Sequence, residues 1–217
     1  MRLVIANKLY SSWSLRPWLV AAHFGILFEE IVIPLDQPDT HARILEHSPS
    51  GRVPCLIDGD LHVWESLAII EYLAETFPDH AIWPRDREAR ALARSISNEM
   101  HAGFQGLRKA CPMNLRRDFA WRDFGREASE NAVRIVELWR DARRRHGAAG
   151  PFLFGAFSAA DAMYAPVVIR FNGYNWPVEP DIRAYMDAVL TLPAFESWLA
   201  AARKETWIVP SDEIEPV

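Results

Sequence analysis

What most limits the fold of this chain is a change of pattern partway along it. Over residues 1–77 short apolar runs alternate with amphipathic stretches, predicting strands at 2–6, 28–34, 55–58 and 61–64 and helices at 14–24, 39–46 and 66–77. Asp58-Gly59 supplies a tight turn between the last two strands. The order βαβ, α, β-hairpin, α calls for a mixed α/β sheet with helices on both faces. Pro78-Asp79-His80 and Trp83-Pro84-Arg85 then interrupt the pattern, marking 78–85 as a linker. Beyond it apolar residues recur at three- and four-residue spacing, predicting helices near 86–111, 118–146, 158–171, 181–191 and 194–204. The chain reads as an α/β domain over 1–77 followed by an all-helical bundle over 86–217.

The first strand-to-helix junction carries Ser11-Ser12-Trp13-Ser14. A helix opening directly after a strand presents unpaired N–H groups and the positive end of its dipole, which favour an anion. Serine hydroxyls there donate to the same anion. Pro17 fits a first helical turn and Gly25 a C-terminal stop. Taken alone, the serines do no more than cap the helix and turn the chain into it. Two further patterns follow. Gly51-Arg52-Val53-Pro54-Cys55-Leu56-Ile57 is a turn and a strand with proline at the strand's entry. Glu65-Ser66-Leu67-Ala68-Ile69 is a polar pair opening an apolar helix, in isolation a solvated turn residue and a plain N-cap.

Composition removes several function classes. With 29 acidic against 24 basic residues the net charge is -5, which argues against nucleic-acid binding. The basic cluster Arg140, Arg143-Arg144-Arg145-His146 falls at the end of a helical stretch, where cations complement the helix dipole. Cys55 and Cys111 are the only cysteines and form no CxxC, so neither a zinc knuckle nor a dithiol centre is expected, and a reducing cytosol suits them. His41 and His47 are too far apart to pair on one helix face, and no metal is assigned. The N-terminal apolar run is broken by Asn7-Lys8, unlike a secretory leader, and nothing approaches the ~18 apolar residues of a membrane span. Ser158-Ala159-Ala160-Asp161 is a capping box, read as structural.

The Ser-rich loop, Val53-Pro54 and Glu65-Ser66-Leu67-Ala68-Ile69 stand in the order and spacing of the cytosolic glutathione transferases, and nearly the whole chain resembles that family in its bacterial, serine-type form. The resemblance implies a thioredoxin-like glutathione domain and a helical domain. The loop most resembles the zeta class, which reads Ser-Ser-Cys-Ser and then Arg-Val-Arg. Here Trp13 replaces the cysteine and Arg16-Pro17-Trp18 the basic stretch. The resemblance further implies a cytoplasmic homodimeric enzyme of the detoxification type, using glutathione as co-substrate without a metal. It also implies a cis Val53-Pro54 bond presenting the Val53 backbone to the cysteinyl part, with Glu65 and Ser66 at the γ-glutamyl end. Arg52, His41 or Lys8 is left for the glycyl carboxylate. The second-substrate pocket would draw on Trp13, Phe104 and Arg108, with Met100, His101, Leu107 and Cys111 on the same helix and Trp207 as a further wall.

Holding a thiol of pKa about 8.5 as thiolate at neutral pH takes a drop of roughly two units, about 2.7 kcal/mol. A hydroxyl donated to a charged sulfur supplies roughly 1.5–3 kcal/mol and the helix N-terminus about 0.3–2, so no general base is needed. The resemblance to zeta-type enzymes makes Ser11, which matches their serine, the expected donor, with Ser12 the alternative and Tyr10 the nearest rival. The activity implied is conjugation of a small electrophile, or peroxide reduction. A zeta-like cis–trans isomerase, as in maleylacetoacetate isomerase, is the alternative, against which the missing cysteine and the bulk of Trp13 weigh. A non-catalytic glutathione-binding module is the third reading.

Overall fold

Four strands form one sheet in the order β2-β1-β3-β4: β1 (Arg2–Ile5), β2 (Glu29–Val32), β3 (Cys55–Asp58) and β4 (Leu61–Trp64). β1 runs parallel to β2 and antiparallel to β3, and β3 is antiparallel to β4. The computed structural model describes residues 1–214; residues 215–217, the end of the expected helical domain, lie outside the described residues. Side chains alternate between the faces, as a strand's period of two requires. Leu3, Ile5 and Leu56 join the core under α1 (Ser12–His23) and α3 (Ser66–Thr76). Val4, Cys55 and Ile57 pack with Ile44 of α2 (Thr40–Leu45). Both faces are thereby covered, as the element order predicts.

α1 begins two residues earlier than its apolar pattern suggests, because Ser11 caps it: the Ser14 N–H donates to Ser11 Oγ at 3.3 Å. Pro17 consequently lies inside the helix and not in its first turn. The N–H it lacks leaves the Trp13 carbonyl without its usual intrahelical donor.

The helical part comprises α4 (Arg87–Ala102), α5 (Gln105–Ala110), α6 (Arg126–His146), α7 (Ala159–Gly173), α8 (Pro180–Leu190) and α9 (Pro193–Ala202). α7 is its axis: every residue except Asn172 is buried, and it packs against α1, α4 and α8. A helix apolar all round belongs in a core. Its start is held by Asp161, whose carboxylate accepts the N–H groups of Leu153 and Ser158 and the Ser158 hydroxyl.

Two expected helices differ. The stretch predicted over 86–111 breaks at Gly103-Phe104, where Phe104 takes a left-handed φ of 62° before α5. The stretch predicted over 118–146 becomes helical only at Arg126. Between them, residues 112–125 are held by aromatic packing and not by helical hydrogen bonds. Phe119 stacks on Tyr174 at 4.6 Å, Trp121 meets Trp176 edge-on at 4.8 Å, and the Phe119 N–H donates to the Gly173 carbonyl at 2.7 Å. Tertiary contacts of large rings override local propensity here. Among the described residues, no helix is long and apolar enough to cross a membrane.

Candidate functional site

The starts of α1 and α3 and the turn before β3 converge on a cavity of about 120 Å³ lined by Trp13, Ser50, Arg52, Val53, Pro54, Glu65 and Ser66. The Val53–Pro54 peptide is cis. Gly51 has φ 65°, and a Cβ there would come within 3.1 Å of the His41 ring, so His41 flanks the same turn. Ser66 is 1% exposed and its hydroxyl has no protein partner, although it sits in the first turn of an eleven-residue helix. Glu65 has φ 70°, a conformation that costs a non-glycine residue of order 1–3 kcal/mol. Its carboxylate lies 3.5 Å from His101 Nε2, linking the sheet domain to α4.

At the start of α1 the serines are not equivalent. Ser11 donates to Ser14 Oγ at 2.8 Å while accepting the Ser14 N–H, and Ser14 Oγ in turn accepts the Ala6 N–H at 3.1 Å. Ser12, 8% exposed, has no side-chain hydrogen bond among the described residues. Tyr10 is engaged elsewhere: its hydroxyl donates to Glu213, and burial together with that carboxylate pushes its pKa up to about 12. A phenol held in that way is a poor donor to a thiolate near neutral pH. Lys8, one of the three cations considered for a glycyl carboxylate, is also engaged. Its ammonium pairs with Glu30 at 2.6 Å and lies over the rings of Trp18 and Trp198.

Trp13 is surrounded by cations. The guanidinium of Arg16 lies 4.2 Å from its ring and that of Arg108 4.5 Å, while His101 meets it edge-on at 5.1 Å. Arg16 is wholly buried; Nε donates to the Met163 carbonyl at 3.1 Å, and Nη1 and Nη2 have no partner. Arg108 donates to the Met100 carbonyl, and buried Arg170 to those of Cys111 and Pro166. Among the described residues, none of the three has a carboxylate within ion-pair distance. Burial, then the charges of Arg108 and Arg170, hold Arg16 well below its usual range, and burial lowers Arg108 to about 10. A buried charge without a partner costs several kcal/mol, of which a desolvated cation–π contact returns about 2.

Phe104 is buried at the break between α4 and α5 and does not line the cavity; Trp207 lies on the C-terminal segment, its carbonyl accepting from Arg116. A larger crevice of about 570 Å³ lies between residues 114–118 and α9 and touches the first loop only at Leu9. Its polar groups are largely satisfied internally: Arg117 pairs with Glu213 at 2.6 Å, and the Glu205 carboxylate accepts the N–H groups of Lys8 and Leu9. Among the described residues, no group of three or more His, Cys, Asp or Glu is arranged to hold a metal ion.

Residues 10–76 match the profile described as glutathione S-transferase, N-terminal domain, and residues 116–201 that described as glutathione S-transferase, C-terminal domain. Glutathione S-transferase Z1 of Arabidopsis thaliana is 35% identical over 210 residues, spanning 88% of this chain and 90% of its own. The chain belongs to the glutathione S-transferase family. Maleylacetoacetate isomerase of Rattus norvegicus is 29% identical over 204 residues, spanning 89% and 90% of the two chains. Among solved structures, the transferase fold is shared with a bacterial zeta-class maleyl pyruvate isomerase, at a TM-score of 0.73 and 21% identity over 95% of this chain and 100% of that one. It is shared too with a glutathione transferase homolog from Burkholderia solved with bound glutathione, at a TM-score of 0.69 and 23% identity over 93% and 97% of the chains.

Nothing in the sequence marks Ser50 or Arg170 as part of a site; Arg16 shows only as part of the departure from the zeta loop, and His101 only on the helix of the second-substrate pocket. The available signal was charge in the wrong place: Arg16 lies between Leu15 and Pro17-Trp18-Leu19, and Arg170 between Val167-Val168-Ile169 and Phe171, within buried stretches of their helices.

Proposed function

We propose that this transferase binds glutathione in the cavity between α1, α3 and the Val53-Pro54 turn, and ionises its thiol at the start of α1 for attack on an electrophilic carbon. The observation that carries the reading is Ser66: a buried hydroxyl with no partner, at the positive end of α3, lining the same cavity as Glu65, Val53 and Arg52. The γ-glutamyl carboxylate takes the Ser66 hydroxyl and the free N–H groups of the helix start, and its ammonium faces Glu65. The Val53 backbone meets the cysteinyl part, and Arg52 with His41 the glycyl carboxylate. Ser11 or Ser12 donates to the thiolate. The sulfur then bonds to the electrophilic carbon and the leaving group departs with its electron pair. Calorimetric titration of wild type and Ser66→Ala tests this: losing a hydroxyl bonded to a charged group should weaken binding by roughly 1.5–3 kcal/mol. Equal affinity in the two proteins would remove the carboxylate from α3.

A second reading, glutathione-dependent cis–trans isomerisation of an enoate bearing a carboxylate, is favoured by Arg16 and Arg108, cations beside Trp13 without a carboxylate partner among the described residues. There the thiolate adds to the double bond, the new single bond rotates, and expulsion of the thiolate restores the alkene. Glutathione consumed in step with product supports the transferase; glutathione recovered unchanged supports the isomerase. With either chemistry we take the protein to be a cytoplasmic homodimer, its two cysteines free and buried.

A further inference from the structure

Lys8 and Leu9 lie between the end of β1 and the start of α1, and neither element satisfies their backbone. Both residues are buried, so each N–H and C=O must find a partner within the protein. All four groups find one in the helical part. The Lys8 N–H donates to Glu205 Oε1 at 2.7 Å and the Leu9 N–H to Glu205 Oε2 at 3.0 Å. The Lys8 carbonyl accepts from Trp198 Nε1 at 3.0 Å and the Leu9 carbonyl from the Leu115 N–H at 3.1 Å. Glu205 differs from the other partners in carrying charge. It follows the end of α9, and its one carboxylate fills a concavity of two successive N–H groups, where an ionised acceptor bonds more strongly than a neutral one. Among the described residues neither N–H has another acceptor.

This clamp bears on the serines of the first loop through a continuous run of backbone. Beyond Lys8-Leu9 the chain closes a turn in which the Tyr10 and Ser11 N–H groups donate to the Asn7 carbonyl, at 3.2 and 2.8 Å, and the Ser12 N–H to the Tyr10 carbonyl at 2.9 Å. Displacing residues 8 and 9 therefore displaces the hydroxyls of Ser11 and Ser12. We propose that Glu205 is a positioning residue for thiol ionisation: it does not line the glutathione cavity, and it holds the first loop so that a serine hydroxyl meets the sulfur. The inference rests on the transferase reading, which places the thiol at the start of α1. A reacting group misplaced by about 1 Å can cost on the order of a hundredfold in rate, so a remote anchor of this kind is sufficient.

The sign of one titration separates placement from charge. A carboxylate acting on the thiol only through its charge disfavours the thiolate, so removing it would lower the thiol pKa; loss of placement raises it. Thiolate absorbance of bound glutathione against pH should give a pKa about one unit higher in Glu205→Ala than in wild type, roughly a tenfold smaller thiolate-to-thiol ratio at a given pH. Glu205→Gln, which keeps one acceptor oxygen, should show a smaller rise. S-methylglutathione has no thiol to ionise, and its calorimetric affinity for Glu205→Ala should stay within about twofold of that for wild type. An unchanged or lowered pKa in Glu205→Ala, or S-methylglutathione binding that weakens as the pKa rises, overturns the proposal. Should Glu205→Ala not fold, the same criteria apply to Glu205→Gln. Wild type binding neither glutathione nor its methyl thioether removes the transferase reading and this inference with it. Wild type binding both, with a titration indifferent to Glu205, removes the positioning role alone.

Discussion

Ser11 and Ser12 are neighbours with different attachments, and substitution can therefore separate capping from chemistry. Ser11 accepts the Ser14 N–H and donates to the Ser14 hydroxyl, so Ser11→Ala removes a helix cap and should lower stability by about 0.5–2 kcal/mol in thermal or denaturant unfolding. Ser12 has no such bond, and Ser12→Ala should unfold as wild type does. If Ser11 is the thiolate donor it must first give up a neutral bond of about 1 kcal/mol to Ser14, whereas Ser12 gives up nothing. The double substitution Ser11→Ala/Ser12→Ala removes both possibilities. It should raise the pKa of bound glutathione by about one to two units, read from thiolate absorbance against pH, since each unit is ~1.4 kcal/mol of preferential thiolate stabilisation. Tyr10→Phe should leave that titration in place, because the Tyr10 hydroxyl is tied to Glu213 and titrates far above neutrality. A shift in Tyr10→Phe alone would transfer the role to the phenol.

At the level of elements, the start of α7 gives a pH dependence whose sign is fixed. Burial raises the Asp161 carboxyl from 3.8 to about 6, against the pull of the donors from Leu153 and Ser158. The unfolded chain therefore loses this proton near 3.8 and the folded chain near 6, so between those values the folded state binds more protons. Asp161's contribution to stability accordingly falls as pH rises through that window and is level above it, by about 3 kcal/mol for a difference of about two units. Asn cannot titrate, so the unfolding free energy separating wild type from Asp161→Asn should be larger at pH 4 than at pH 7 by up to that amount. A gap independent of pH would mean that Asp161 ionises normally. The same scale shows what was legible in the sequence. The order of elements along the chain, the Asp58-Gly59 hairpin and the Ser158–Asp161 box follow from local pattern, which is how they were read. The breaks at Phe104 and before Arg126 follow from contacts with distant partners, such as Phe119 on Tyr174, and no period of 3.6 or 2 encodes them. The cavity wall at Val53-Pro54 and Glu65-Ser66 was legible only through the family resemblance those motifs carry, and the tethering of the first loop by Glu205 and Glu213, set by distant residues, was not legible at all.

For the whole molecule, the sheet ends at β4, an edge strand bearing Leu61 at 48% and Trp64 at 44% exposure. Unpaired strand edges with large apolar side chains invite a second chain, and two-fold pairing is the commonest way to close such a contact. Next to this edge, α3 and α4 are locked together by the bidentate pair of Arg94 and Glu71, both bonds 2.9 Å, which gives the surface a rigid base. We therefore expect light scattering at micromolar protein to give twice the mass of one chain, and Leu61→Lys/Trp64→Glu to give the mass of one. Trp64 immediately precedes Glu65, whose left-handed backbone is held at a cost of order 1–3 kcal/mol and which lines the candidate glutathione cavity. In the expected dimer the partner braces the strand that leads into Glu65, and separating the chains frees it. The separated chain should then bind glutathione more weakly than the dimer, by an amount that disappears when Glu65→Ala is already present. A monomeric variant with undiminished affinity would show that one chain alone holds Glu65 in its binding conformation.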